Sequence, residues 1–330
     1  MTRSRVLPRA LLAAITAVTF TAAAIDAHGN RDGSGTRNSL TILVPSAPGG
    51  TWDTNARELQ RAMKENGIVA NPQVINLPGG AGTLGLSQLV QMDGREDIIM
   101  MTGTVMLGGV VVNDSPEAVA DTTPIAQLVQ DYQAVFVPGD SPFQTLDDLI
   151  SAWKKNPGGT AIGGGALGGT DSLIAHTLAE EVGIDPASVN YIPYAGGGEV
   201  LPALLSHSVD AAIGGYAEFE DQVEAGKLKA LALTAPKHQP GIDVQTFTEQ
   251  GLDLYVPNWQ GVVAAPGISD EAKDELGDII AETVATSEWA EARERNRWTD
   301  SYRPADDFAT LLDSESRRVR DVIVESGISD

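Results

Sequence analysis

The chain has 330 residues, long enough for two domains with cores of their own, and its 42% hydrophobic and 20% charged content is that of a globular protein. A formal net charge of −23 makes nucleic acid and anionic membrane surfaces poor partners, and the absence of cysteine excludes disulfides, thiolate metal sites and cysteine nucleophiles. Aromatic residues make up only 5%, whereas 35 glycines fall mostly between periodic segments, a pattern that suits many strand-to-helix turns.

The N-terminus reads as an export signal over 1–27. Arg3, Arg5 and Arg9 precede an alanine-rich apolar stretch, and small residues near Ala24 and Ala27 offer a cleavage site. The stretch falls short of the ~20 residues of an ordinary membrane span, so removal is expected, with retention as an anchor the alternative. No cysteine follows, so there is no lipobox. Residues 28–39, a polar Gly-rich run, form a tether expected to be disordered. The expected location is outside the cytoplasm, periplasmic or associated with the cell surface.

From residue 40 the pattern is strand 40–44, helix 52–66, strand 73–76, helix 83–91 and strand 97–101, the alternation of a parallel doubly wound sheet. A strand-rich stretch, 125–137, ends at Pro138-Gly139-Asp140, the expected first crossing to a second lobe. Thr145 and Asp148 form a capping box ahead of Leu146, Leu149, Ile150 and Trp153. The second lobe then repeats the alternation: a glycine loop, helix 170–182, strand 191–194, helix 199–207, strand 209–213, helix 219–225 and strand 230–234. A second crossing is expected at 236–241, followed by strand 256–264 and helices 270–286 and 305–326 packed back on the first lobe. The predicted class is α/β with two lobes, 40–138 plus 237–330 and 139–236, joined by a two-stranded hinge.

One corner occurs twice. Val44-Pro-Ser-Ala-Pro-Gly49-Gly50-Thr51 and Gly163-Gly-Gly-Ala-Leu-Gly168-Gly169-Thr170 each lead from a strand into an amphipathic helix. A helix N-terminus carries free N–H groups and the positive end of the dipole, so two such ends facing one another would clamp a small anion. Thr51 and Thr170 are expected to cap their helices and to donate to the ligand or its bridging water. Asp53 and Asp171, in the first helical turns, suit the dipole, and Asp53 is also a candidate to touch ligand or fix its loop. Trp52 is the aromatic expected to shape the pocket wall, while Trp153, Trp289 and Trp298 read as packing residues.

Competing chemistries are poorly supported. Two G-x-G-x-x-G matches, Gly80/Gly82/Gly85 and Gly163/Gly165/Gly168, are weak in so glycine-rich a chain, and no acid closes the strand after the second. No Walker lysine, H-E-x-x-H or G-x-S-x-G occurs, and His28, His176, His207 and His238 have no metal-ligand spacing. No catalytic residue, metal or cofactor is expected.

Read in order, Val44 to Asp53 (VPSAPGGTWD), Asn76 to Gly82 (NLPGGAG), Asp140 to Leu149 (DSPFQTLDDL), Ile192 to Glu199 (IPYAGGGE) and Gly226 to Ala232 (GKLKALA) resemble the substrate-binding proteins of tripartite tricarboxylate transporters, the TctC or Bug family of the periplasmic-binding-protein superfamily. The resemblance implies a type II-like Venus-flytrap receptor that delivers a small organic acid to a permease of large and small membrane subunits, itself acting as a monomer. It also implies a ligand carboxylate held largely by backbone N–H groups and ordered water. By position these belong to Ser46, Ala47, Gly49, Gly50, Thr51, Trp52 and Asp53 on one side and to Gly164, Gly165, Gly168, Gly169 and Thr170 on the other, with Thr102, Gly103, Thr104 and Tyr216 lining the rest. The ligand is expected to be a di- or tricarboxylate such as citrate, smaller dicarboxylates and uncharged or aromatic acids being open alternatives. An exported enzyme on the same frame, or a ligand-sensing partner of a membrane kinase, are the alternative functions.

Overall fold

The computed structural model describes residues 35–328, so the export signal and most of the tether lie outside the described residues. The first lobe begins β1 (Ser39–Val44), α1 (Thr51–Glu65), β2 (Asn71–Asn76), α2 (Thr83–Val90) and β3 (Ile98–Gly103). β1 and β3 are almost wholly buried, the continuous apolar reading of central parallel strands. α1 turns Trp52, Ala56, Leu59, Ala62 and Met63 toward the core at helical spacing, carries Asp53 in its first turn and Lys64 in its last, and ends before Gly67 at φ +67°.

Next comes α3 (Thr104–Val112), which the sequence pattern did not anticipate. Its run of valines reads as strand, but tertiary packing holds it as helix. Gly109 lets its backbone approach Ala81 and the Gly80 carbonyl on one side, and Gly108 lies against the Gly168 carbonyl on the other. A Cβ on Gly108 would sit 1.8 Å from that oxygen.

β4 (Thr123–Asp131) and β5 (Gln133–Pro138) together make up the expected strand-rich stretch, but they belong to different sheets. β4 pairs antiparallel with β10 (Asn258–Ala264) and β11 (Thr299–Pro304), while β5 pairs antiparallel with β8 (Ala211–Gly215) and β9 (Leu228–Leu233). The chain therefore changes sheet at Tyr132, not at Pro138. Two successive buried strands carry no mark of which sheet each joins, so the boundary read from the downstream Pro-Gly turn fell one strand late.

The second lobe continues with α4 (Leu146–Lys155), β6 (Ala161–Gly164), α5 (Thr170–Glu181), β7 (Asn190–Pro193), α6 (Gly197–Leu205), β8, α7 (Tyr216–Glu224) and β9. The capping box is formed as expected: Thr145 Oγ1 accepts from the Asp148 N–H at 3.2 Å and Asp148 Oδ2 from the Thr145 N–H at 3.0 Å. After β10 come α8 (Asp270–Val284), α9 (Ser287–Arg295), β11 and α10 (Ala305–Glu325). α9 and β11 were not legible in sequence. α9 is short and strongly polar, and β11 is an edge strand without apolar alternation.

The sheet orders are β11-β4-β10-β3-β1-β2 and β7-β6-β8-β5-β9. Each holds three parallel strands, β2-β1-β3 or β7-β6-β8, followed by one antiparallel strand that has just arrived from the other sheet, β10 or β5. This exchange gives the lobes two connections, Asp131–Gln133 and 234–257. Parallel strands β1, β3, β6 and β8 each run at their carboxyl ends into a glycine corner and a helix N-terminus, the edge at which open α/β sheets bind ligands. Trp153, Trp259 and Trp289 are fully buried; Trp289 and Trp298 pack at 5.9 Å between ring centroids, as packing residues should.

Candidate functional site

In the first-lobe corner, Ala47 to Thr51 are exposed and Ser46 is half-buried. Helix α1 starts at Thr51 with Gly50 as its N-cap, so no side chain caps it and its first-turn N–H groups remain uncapped. The expected capping by Thr51 is thus replaced by a bare glycine cap. Asp53 organises the loop: Oδ2 accepts from the Gly49 N–H and Arg57 Nε, each at 2.8 Å, and Oδ1 accepts from Asn76 Nδ2 at 2.9 Å. Burial pushes this carboxyl up, but the bonds from Arg57, Gly49 and Asn76 outweigh it and hold it below the usual carboxylate range. Asn76 Nδ2 also donates to the Ser46 carbonyl at 3.1 Å. Ser46 Oγ, buried, has no hydrogen-bond partner.

The second-lobe corner copies this design with different electrostatics. α5 starts at Thr170 under a bare Gly169 cap, again correcting the expected threonine cap. Asp171 Oδ2 accepts from the Gly165 N–H at 2.8 Å, as Asp53 does from Gly49. Tyr191 Oη donates to the Gly165 carbonyl at 2.8 Å and closes over Gly164, where a Cβ would lie 2.4 Å from that oxygen. Among the described residues no ion pair reaches Asp171. Burial raises its pKa to about 7, against the Gly165 N–H bond and with the help of the Glu218 and Asp131 charges. Burial and the neighbouring Asp171 in turn push the Tyr191 phenol well above its ordinary value.

A hydrogen-bonded relay joins the two helix beginnings through the hinge. Asn55 Nδ2 on α1 donates to Gln260 Oε1 at 3.0 Å, and Gln260 Nε2 donates to Asp131 Oδ2 at 3.3 Å. Asn258 Nδ2 donates to Asp131 Oδ1 at 2.5 Å, and Thr170 Oγ1 on α5 donates to Asn258 Oδ1 at 2.8 Å. Asp131, at the first crossing, thus takes one bond from each of two β10 side chains. Burial raises it to about 7 against the Asn258 bond, with the Glu218 charge adding to the rise.

Among the described residues no hydrogen bond joins Ser46–Asp53 directly to Gly164–Thr170. The second corner instead touches α3, where Gly168 (φ +75°) meets Gly108 and Val112. Thr102 and Thr104 are fully buried; Thr102 Oγ1 lies 3.4 Å from Met106 Sδ and Thr104 Oγ1 donates to the Pro257 carbonyl at 2.9 Å. Gly103 is covered by the Trp52 indole and the Trp259 carbonyl, and Trp52 also wedges against Gly82, so this ring is core rather than open wall. Tyr216 packs in the second-lobe core, 6.5 Å from Phe136. His176 is buried with Nδ1 at 2.7 Å from the Ser172 carbonyl, a helix-face histidine.

Residues that sequence reasoning passed over are Asn55, Asp131, Gln133, Tyr191, Glu218, Asn258 and Gln260. Glu218 had a signal: it follows Gly214-Gly215 into the first turn of α7, where Asp53 and Asp171 follow their own glycine corners. The others sit at strand ends or inside elements, and only the exchange of β5 and β10 between sheets brings them together.

Two three-plus-one sheets that trade a strand, with uncapped helix beginnings linked across the crossing, define a two-lobed solute-binding receptor. Residues 55–328 match the family described as the tripartite tricarboxylate transporter family receptor, TctC, and the chain belongs to that family, one of receptors rather than of enzymes. Protein BugT of Bordetella pertussis is 27% identical over 297 residues, covering 87% of this chain and 89% of its own. Among solved structures, MatC from Rhodopseudomonas palustris with bound malate superposes with a TM-score of 0.75 at 21% identity, over 87% of this chain and 99% of that one. Another R. palustris protein, solved with adipate, gives 0.76 at 22% identity over 88% and 97%. No helix among the described residues is long and apolar enough to cross a membrane.

Proposed function

We propose that this protein is an exported receptor that closes its two lobes on a small carboxylate-bearing solute and delivers it to the large and small membrane subunits of a tripartite transporter. The observation that carries the reading is the relay from Asn55 to Thr170. It ties the beginnings of α1 and α5, both uncapped, to the same carboxylate at the hinge. Ligand bound at the first corner meets the N–H groups of α1 and the free Ser46 hydroxyl; closure adds donors from α5, so the ligand shifts the population toward the closed arrangement. Malate and adipate, bound in the two R. palustris structures, are carboxylates, which supports the reading.

The export signal, outside the described residues, supports a periplasmic location. A sensor role would use the same cleft and differ in what the closed surface touches; adjacent permease genes would favour transport. The test is a thermal-shift screen of organic acids followed by calorimetry, since a ligand that binds only the native form raises its melting temperature. No shift with any mono-, di- or tricarboxylate would sink the proposal.

A further inference from the structure

The two helix-start corners differ in electrical character. At the first corner the one carboxylate, Asp53, is matched by the Arg57 guanidinium. At the second, three carboxylates from three elements lie within range of one another's charge, Asp131 at the end of β4, Asp171 in the first turn of α5 and Glu218 in the first turn of α7. Each of the two aspartates feels the Glu218 charge. None of the three has an ion-pair partner among the described residues, and Glu218, whose Oε2 lies over Gly197, has no hydrogen-bond partner either.

A second feature points to an occupant. Gln133, at the start of β5 just past the crossing, is only 6% exposed, and its buried Oε1 accepts no hydrogen bond. That oxygen and the Glu218 carboxyl carbon both lie within 3.6 Å of one point beside Gly215, so the lone acceptor faces the same space as the Glu218 carboxylate. A buried acceptor without a donor is costly and rare, and an incoming N–H group would satisfy it. A second carboxylate placed here would meet the Glu218 carboxylate and the unpaired Gln133 oxygen. The acids are also not gathered to hold a metal ion: among the described residues no three His, Cys, Asp or Glu side chains form such a group.

We propose that the second-lobe wall receives a cationic nitrogen group, an ammonium or similarly donor-rich cation, so that the solute is an amino-acid-like zwitterion rather than a plain di- or tricarboxylate. This rests on the carboxylate-receptor reading for the ligand's other end, which the uncapped start of α1 holds. The net charge of −23 favours the approach of the cationic end and disfavours a multiply charged anion.

The experiment is calorimetry on the full chain with matched pairs: alanine and propionate, aspartate and succinate, glutamate and glutarate, 4-aminobutyrate and butyrate, together with citrate and 1,4-diaminobutane. The expected result is that at least one amino compound binds about tenfold or more tighter than its nitrogen-free counterpart, the scale of a desolvated charge pair. Glu218→Gln, at an exposed unpartnered position, should erase most of that advantage without weakening binding of the nitrogen-free acid and with the fold intact by circular dichroism. If nitrogen-free acids bind as tightly as their amino counterparts, or Glu218→Gln weakens both equally, the cation site is overturned while the carboxylate receptor stands. If 1,4-diaminobutane binds and no carboxylate does, the cation site stands and the receptor reading fails. Binding by none of these probes overturns both.

Discussion

Thr170→Val removes one hydroxyl and keeps the side-chain shape at a position that is 3% exposed. The hydroxyl donates to Asn258 Oδ1 at 2.8 Å, and Asn258 in turn donates to Asp131, so the substitution leaves a half-buried amide oxygen without a donor at the centre of the relay. An orphaned acceptor of this kind costs about 1–3 kcal/mol. Thr170 belongs to the second lobe and Asn258 to a first-lobe strand, so in the receptor reading the bond is made in the closed arrangement and its loss falls on ligand affinity. At about 1.4 kcal/mol per tenfold, the expected weakening is about 5-fold to 150-fold. Calorimetry with the tightest acid from the screen reads it, and Thr170→Ser, which retains the hydroxyl, should recover most of the affinity. If Thr170→Val binds as tightly as the parent, the relay does not couple the lobes and the argument from it is wrong.

Three further outcomes follow from the geometry. Asp53→Asn should cost about 1–3 kcal/mol, because an amide cannot accept from Gly49, Arg57 and Asn76 together, and it should loosen the first corner; an unchanged melting temperature and unchanged affinity would count against Asp53 as its organiser. Gly108→Ala suits a helix locally yet places a methyl on the Gly168 carbonyl, so small-angle scattering should report a more open average shape and calorimetry weaker binding, with α3 still folded; an unaltered profile would refute the contact as a stop for closure. Asp131 and Asp171 are both raised to about 7 from 3.8, so the folded chain binds more protons than the unfolded one between those values. Their stabilising contribution is complete below about pH 4 and lost as pH rises through 7, opposite in sign to that of Asp53. Melting curves of Asp131→Asn against the parent should lose part of this slope between pH 5 and 7.5, and parallel pH profiles would contradict it.

Much of the frame was readable from local chemistry. The capping box at Thr145 and Asp148, the glycine corners and the alternation of buried strand with amphipathic helix are each decided within a few residues, so composition and spacing located them. The same holds for the duplicated Gly-Gly-Thr corner and for an acid in the first helical turn behind it. α3 shows where such reading stops: its valines favour strand, and tertiary packing, with close glycine contacts to Ala81 on one side and Gly168 on the other, holds it as a helix.

What the residues by themselves determined, then, is a two-lobed α/β frame with two glycine corners leading into helix beginnings. Tertiary structure alone decided that β5 belongs to the second sheet, that Thr170 bonds Asn258, and that Gln133 and Glu218 meet beside Gly215. The physical reason is that strand pairing and charge clustering depend on contacts between residues far apart in the chain. Asp131 carries no local pattern that differs from an ordinary solvated acid; its character comes from the neighbours that folding places around it.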